Sequence, residues 1–95
     1  MSDLKCVHML VDGTVQRVGF RNFVQQQAVA LNLTGWVRNR LDEKVEILAQ
    51  GDEYQLQKFI SIVRVGPPIA NVTHLEVEWS SPVVEFKKFS ITPTG

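Results

Sequence analysis

Apolar residues in this chain alternate between a period of two and a period near 3.6, and the order of those stretches leaves few architectures open. From Lys5 to Val11, the residues Val7, Met9 and Val11 alternate with Cys6, His8 and Leu10. Apolar residues on both sides predict an interior strand, ending at Asp12-Gly13. Phe20, Phe23, Val24, Ala28 and Leu31 then fall on one helical face, with Asn22, Gln25 and Gln26 opposite, so a helix is expected from Phe20 to Leu31. Thr34 to Asn39 and Val45 to Gln50 read as two strands of a hairpin turning through Arg40 to Lys44, with Trp36 and Val37 supplying β propensity. Asp52 is placed to cap a second helix carrying Leu56, Phe59, Ile60 and Val63, stopped by Gly66-Pro67-Pro68. Thr73, Leu75, Val77 and Trp79 predict a strand with one inward face, and Phe86, Phe89 and Ile91 a short last one.

Strand, helix, strand, strand, helix, strand is the split βαβ order of an α+β, ferredoxin-like sandwich: an antiparallel sheet, both helices on one face, and here a short extra C-terminal strand. The chain's 95 residues fit a single domain spanning 1–95, and 44% hydrophobic content supplies a core without disulfide or structural metal. Ten basic and ten acidic residues cancel, so no overall field gathers nucleic acid or an anionic membrane. No stretch is apolar for long enough to span a bilayer, and the first residues lack the basic and apolar segments of a leader. A cytoplasmic protein is expected. The tripeptides Asn32-Leu33-Thr34 and Asn71-Val72-Thr73 match a glycosylation pattern that has meaning only in a secreted chain.

Chemistry concentrates in Gly13-Thr14-Val15-Gln16-Arg17-Val18-Gly19-Phe20-Arg21, which joins the first strand to the first helix. A loop with glycine at both ends can aim several backbone N–H groups into one concavity. The positive helix N-terminus and a forked guanidinium favour an anion there, and a phosphate or sulfate ion would fit. The loop is neither the Walker pattern nor the dinucleotide pattern. On composition alone it also reads as an ordinary glycine turn followed by a solvated arginine.

Gly13-Thr14-Val15-Gln16-x-Val18-Gly19-Phe20-Arg21 resembles the first signature of the acylphosphatase family, Gly-x-Val-Gln-Gly-Val-x-Phe-Arg. Gly35-Trp36-Val37-Arg38-Asn39, followed by Val45 and Gly51, resembles its second. The two motifs stand in the family's order, and the likeness covers essentially the whole chain. The resemblance implies the same βαββαβ sandwich and the hydrolysis of acyl phosphates, small molecules with a carboxyl–phosphate anhydride. It makes Arg21 the ligand of the substrate phosphate and Asn39 the residue that orients the attacking water. The phosphate cradle would comprise Gln16, Arg17, Val18, Gly19, Phe20 and Arg21. The departing carboxylate has a pKa of about 4 to 5, as Asp and Glu do, so no strong general acid, metal or other cofactor is required. Taken alone, Asn39 is a turn former at a strand end, and Arg38 and Arg40 are solvated charges that mildly attract an anion.

Two positions depart from the signatures, because Arg17 and Glu43 stand where the family has glycine. Glu43 falls in the hairpin turn and bears on stability. Arg17 falls in the cradle, where a side chain could strain a loop needing positive φ, swing outward, or add a second cation. Reduced activity or altered affinity is therefore expected relative to a glycine at that position. The first alternative is a weakened phosphate- or anion-binding module. The second is an accessory acylphosphatase-like domain of a larger protein that handles carbamoyl phosphate, although an end at Gly95 without a linker favours a free-standing enzyme. An RNA-binding role for Gly19, Phe20 and Phe23 is disfavoured, since those aromatics belong to a helix's buried stripe. Cys6 and His8 lie two apart on a strand, but only His74 remains as another imidazole, so no metal site is expected. Evenly spread charge favours a monomer.

Overall fold

The computed structural model describes residues 4–82 and 84–95. Its elements follow the expected order: β1 (Lys5–Thr14), α1 (Phe20–Ala30), β2 (Thr34–Asn39), β3 (Val45–Gly51), α2 (Glu53–Val65), β4 (Asn71–Ser80) and β5 (Phe89–Ile91). The five strands lie side by side as β4-β1-β3-β2-β5. The β1–β3, β1–β4 and β2–β3 pairs are antiparallel. β5 instead joins β2 in parallel, so the sheet is mixed and not wholly antiparallel. That difference follows from topology, since the last strand lies beside β2 at the sheet edge and runs in the same direction.

Alternation sorts the sheet into two faces. Val7, Met9 and Val11 of β1 and Val45, Ile47 and Ala49 of β3 have no exposed surface. They pack with Phe20, Val24 and Ala28 of α1 and Leu56, Phe59 and Val63 of α2 in one core. Phe23, Leu31 and Ile60 are partly buried against that core, as their helical spacing predicts. Asp52 caps α2 by accepting a hydrogen bond from the Tyr54 N–H at 3.2 Å, and Gly66 closes the helix at φ 71°.

Three strand expectations need correction. β1 continues past Asp12-Gly13 to Thr14, because the register steps from Asp12–His74 to Gly13–Val72 and skips Thr73. Gly13 at φ 126° permits this bulge, and a Cβ there would run into the backbone oxygen of Asn71. The same bulge makes Val72, with Leu75 and Val77, the apolar set of β4 that packs on the core. Thr73 is exposed, and Trp79 near the strand's end is 41% exposed. Phe86 also lies outside β5. Its segment covers the face of the sheet away from the helices: the Gln50 side-chain amide donates to the Val84 carbonyl, and the Phe86 N–H donates to Gln50 Oε1 at 3.1 Å. The covered Gln50 is therefore buried with both ends of its amide satisfied.

Candidate functional site

β1 and β2 both run antiparallel to β3, so they end at the same edge of the molecule, and the loop after β1 leads there directly into α1. Within this loop Val15 is buried, Arg17 takes φ 63° and Gly19 takes φ 75°. Gly19 occupies the N-cap position of α1, with no side-chain cap and no acidic residue in the first turn. The first N–H groups of a helix have no partner inside it, and no side chain among the described residues caps them here. The N-terminus of α2, with Asp52 and Glu53, is the opposite case.

A cavity of about 250 Å³ opens at this edge, lined by Val15, Arg17, Gly19, Phe20, Arg21, Asn22 and Ile91. Arg21 is half-buried and Arg17 exposed. Among the described residues neither takes part in a salt bridge, and no carboxylate lines the cavity. Two guanidinium groups and the positive end of a helix thus face one concavity without an internal counter-ion, the arrangement that favours an anion.

Of the residues expected to form the cradle, Arg17, Gly19, Phe20 and Arg21 line the cavity, while Gln16 and Val18 do not. The Gln16 side chain instead leaves the loop and donates to the carbonyls of Arg40 and Lys44, both at 2.9 Å. It ties the loop to the β2–β3 turn. Asn39 closes β2 on the helix-covered face, two residues beyond Val37, which pairs with the cavity-lining Ile91. It does not itself line the cavity. Its Oδ1 is shielded from solvent and has no hydrogen-bond partner among the described residues. The Asn39 carbonyl is held by the Gly95 N–H at 3.1 Å.

Arg38 and Arg40 are not free solvated charges. Arg38 Nε donates to Glu46 Oε1 at 2.7 Å, with its guanidinium 5.1 Å from the Trp36 ring centroid. Arg40 lies 3.0 Å from Asp42 and 3.8 Å from Glu46. His8 Nε2 meets the other Glu46 oxygen at 2.6 Å. Burial alone would raise the pKa of Glu46, but the hydrogen bonds from His8 and Arg38 outweigh it and hold the carboxyl below its ordinary value. A carboxyl depressed in the fold stabilises it above the unfolded pKa of about 4.3, and that stabilisation is lost as pH falls through the folded value. Urea midpoints of the wild type and Glu46→Gln should therefore converge as pH drops from 6 to 3. A difference independent of pH would show that the network carries no proton-linked stability.

Of the Cys6–His8 pair, Cys6 is buried, with its thiol pKa raised by desolvation, and His8 is engaged by Glu46. Asp12, His74 and Glu76 bring ligand atoms within 4.8 Å of one another on the side of the sheet away from the helices, where Lys44 Nζ stands 3.6 Å from Asp12. No helix of the described residues is long and apolar enough to cross a membrane.

Residues 7–91 match the family model described as Acylphosphatase. An acylphosphatase of Bacillus velezensis is 48% identical over 85 residues, covering 90% of this chain and 94% of the relative. The crystal structure of the Bacillus subtilis acylphosphatase superposes with a TM-score of 0.90 at 45% identity, covering 93% of this chain and 98% of that one. HypF of T. kodakarensis superposes with a TM-score of 0.84 at 34% identity, over 96% of this chain but 12% of the longer protein.

Proposed function

The chain belongs to the acylphosphatase family and hydrolyses the carboxyl–phosphate bond of acyl phosphates, and from that premise we propose that Arg21, Asn39 and the backbone of Gln16 to Phe20 carry the reaction. The observation that supports this most is Arg21 on the uncapped first turn of α1, lining a cavity to which no described residue contributes a carboxylate. In the proposed mechanism its guanidinium and the loop N–H groups bind the phosphoryl oxygens, and the charge that spreads over those oxygens in the transition state is met by donors already in place. The Asn39 side chain holds a water in line with the scissile P–O bond. Water oxygen bonds to phosphorus, the P–O bond to the acyl group breaks, and its electron pair leaves on the carboxylate. The water's proton departs with the phosphate product or to solvent. A carboxylate leaving group needs no protonation at neutral pH, so positioning and charge stabilisation suffice.

Hydrolysis of benzoyl phosphate in ¹⁸O-labelled water with excess chelator tests this reading. The label is expected in inorganic phosphate at undiminished rate. Label in benzoate would move the attack to the carbonyl, and a chelator-sensitive rate would give the chemistry to a metal. Inorganic phosphate and sulfate should compete with substrate, since both fit the same cradle.

Both departures from the family signatures fall on left-handed backbone: Arg17 has φ 63° and Glu43 has φ 73°. A non-glycine residue there costs about 1 kcal/mol relative to glycine. Arg17→Gly and Glu43→Gly are each expected to raise the urea midpoint accordingly. Arg17→Gly is also expected to change turnover or substrate affinity, whereas Glu43→Gly should leave both alone. Identical kinetics for Arg17→Gly would show that the cradle tolerates the arginine without cost. This reading also takes the chain as a cytoplasmic monomer, supported by its free, buried Cys6 and by exposed hydrophobics such as Leu41, Tyr54 and Ile69 that fall in different segments of the chain.

A further inference from the structure

We infer that Arg17 directs this enzyme toward acyl phosphates whose acyl group itself carries a negative charge. The inference rests on the phosphoryl orientation proposed above. Arg21 and Arg17 line the same cavity, the first half-buried and the second exposed. A substrate whose phosphoryl group lies against Arg21 and the loop N–H groups sends its acyl part outward, and Arg17 is the cation on that side. Every other residue of the lining, Val15, Gly19, Phe20, Asn22 and Ile91, is uncharged. Among the described residues Arg17 has no carboxylate partner to neutralise it, unlike Arg38 and Arg40. The chain's net charge is zero, so attraction for a more anionic substrate has to come from a local cation. The strained backbone at φ 63° is then a stability cost tied to a side chain with a use.

The test compares benzoyl phosphate with 4-carboxybenzoyl phosphate, which share the reacting bond and the ring and differ by one remote carboxylate. Arg17→Gln removes the charge while keeping a non-glycine residue on the left-handed backbone, and Arg17→Lys retains the charge. Dividing the kcat/KM ratio of the two substrates in the wild type by that in each variant cancels their intrinsic reactivity difference. Arg17→Gln is expected to lower the relative preference for the carboxylated substrate about two- to fivefold, the scale of an exposed ion pair. Arg17→Lys should keep most of it. The wild-type preference should fade in 1 M salt, where charges are screened within about 3 Å. An equal loss on both substrates, or none on either, overturns the inference while leaving the phosphoryl reading intact. Failure of the wild type to hydrolyse either compound would sink both.

Discussion

Replacing Arg21 by alanine is expected to lower kcat/KM for benzoyl phosphate on the order of 10³-fold, the scale set by losing a preorganised donor or arginine at a phosphoryl transition state. Stability should move the other way. Arg21 sits in the first turn of α1, where the helix dipole is positive and no acidic residue offsets it. A cation there opposes the dipole by about 0.3–1 kcal/mol, so the alanine variant should unfold at an equal or higher urea concentration. A residue kept for packing would show both quantities falling together. Arg21→Lys should recover little of the rate, because an ammonium supplies the charge without the planar fork that takes two phosphoryl oxygens at once. Phosphate gives an independent readout: it should raise the melting temperature of the wild type by linkage, and that rise should vanish in Arg21→Ala. Equal phosphate stabilisation of both proteins would place the anion elsewhere.

The elements were legible in the sequence wherever one residue's neighbours along the chain decide its environment. The stripe of Phe20, Val24 and Ala28 is buried as its helical spacing requires, Asp52 caps α2, and Val7, Met9 and Val11 lie in an interior strand. What stayed hidden depends on which strand lies beside which. The bulge that turns Thr73 outward and brings Val72 onto the core arises from pairing with Gly13, and the parallel β5 from its place beside β2. Glu46 and Gln50 are polar residues of β3 that the sequence does not mark as buried. They are buried because His8 and Arg38 close over one and the segment around Val84 and Phe86 over the other. In the site, Arg17, Gly19, Phe20 and Arg21 were readable because they lie within five residues of chain, at the end of the β1–α1 loop and in the first turn of α1. Ile91 comes from the far end of the chain, and the Gln16 side chain finds its partners in a turn more than twenty residues away. The pairing of Arg38 and Arg40 with Glu46 is hidden for the same reason, since Glu46 reaches them only across the hairpin.

Asn39→Ala should also separate activity from stability, through a different kinetic signature. Its Oδ1 is buried without a partner among the described residues, and an unsatisfied buried acceptor costs about 1–3 kcal/mol. A water accepted there for attack on phosphorus would recover that cost, and a side chain that holds water and not phosphate acts in the chemical step alone. Asn39→Ala is therefore expected to lower kcat by about 10²-fold while leaving KM and phosphate affinity near their wild-type values. Arg21→Ala differs in damaging both. Stability should hold or rise, since the variant removes an unsatisfied acceptor, whereas the Asn39 carbonyl remains bonded to Gly95. Asn39→Asp sharpens the distinction: a carboxylate can still accept from water, but its charge opposes the phosphoryl group, so KM should rise as kcat falls. A loss of stability in Asn39→Ala that accounts for its loss of activity would reduce the residue to the strand-end turn former its position alone suggests.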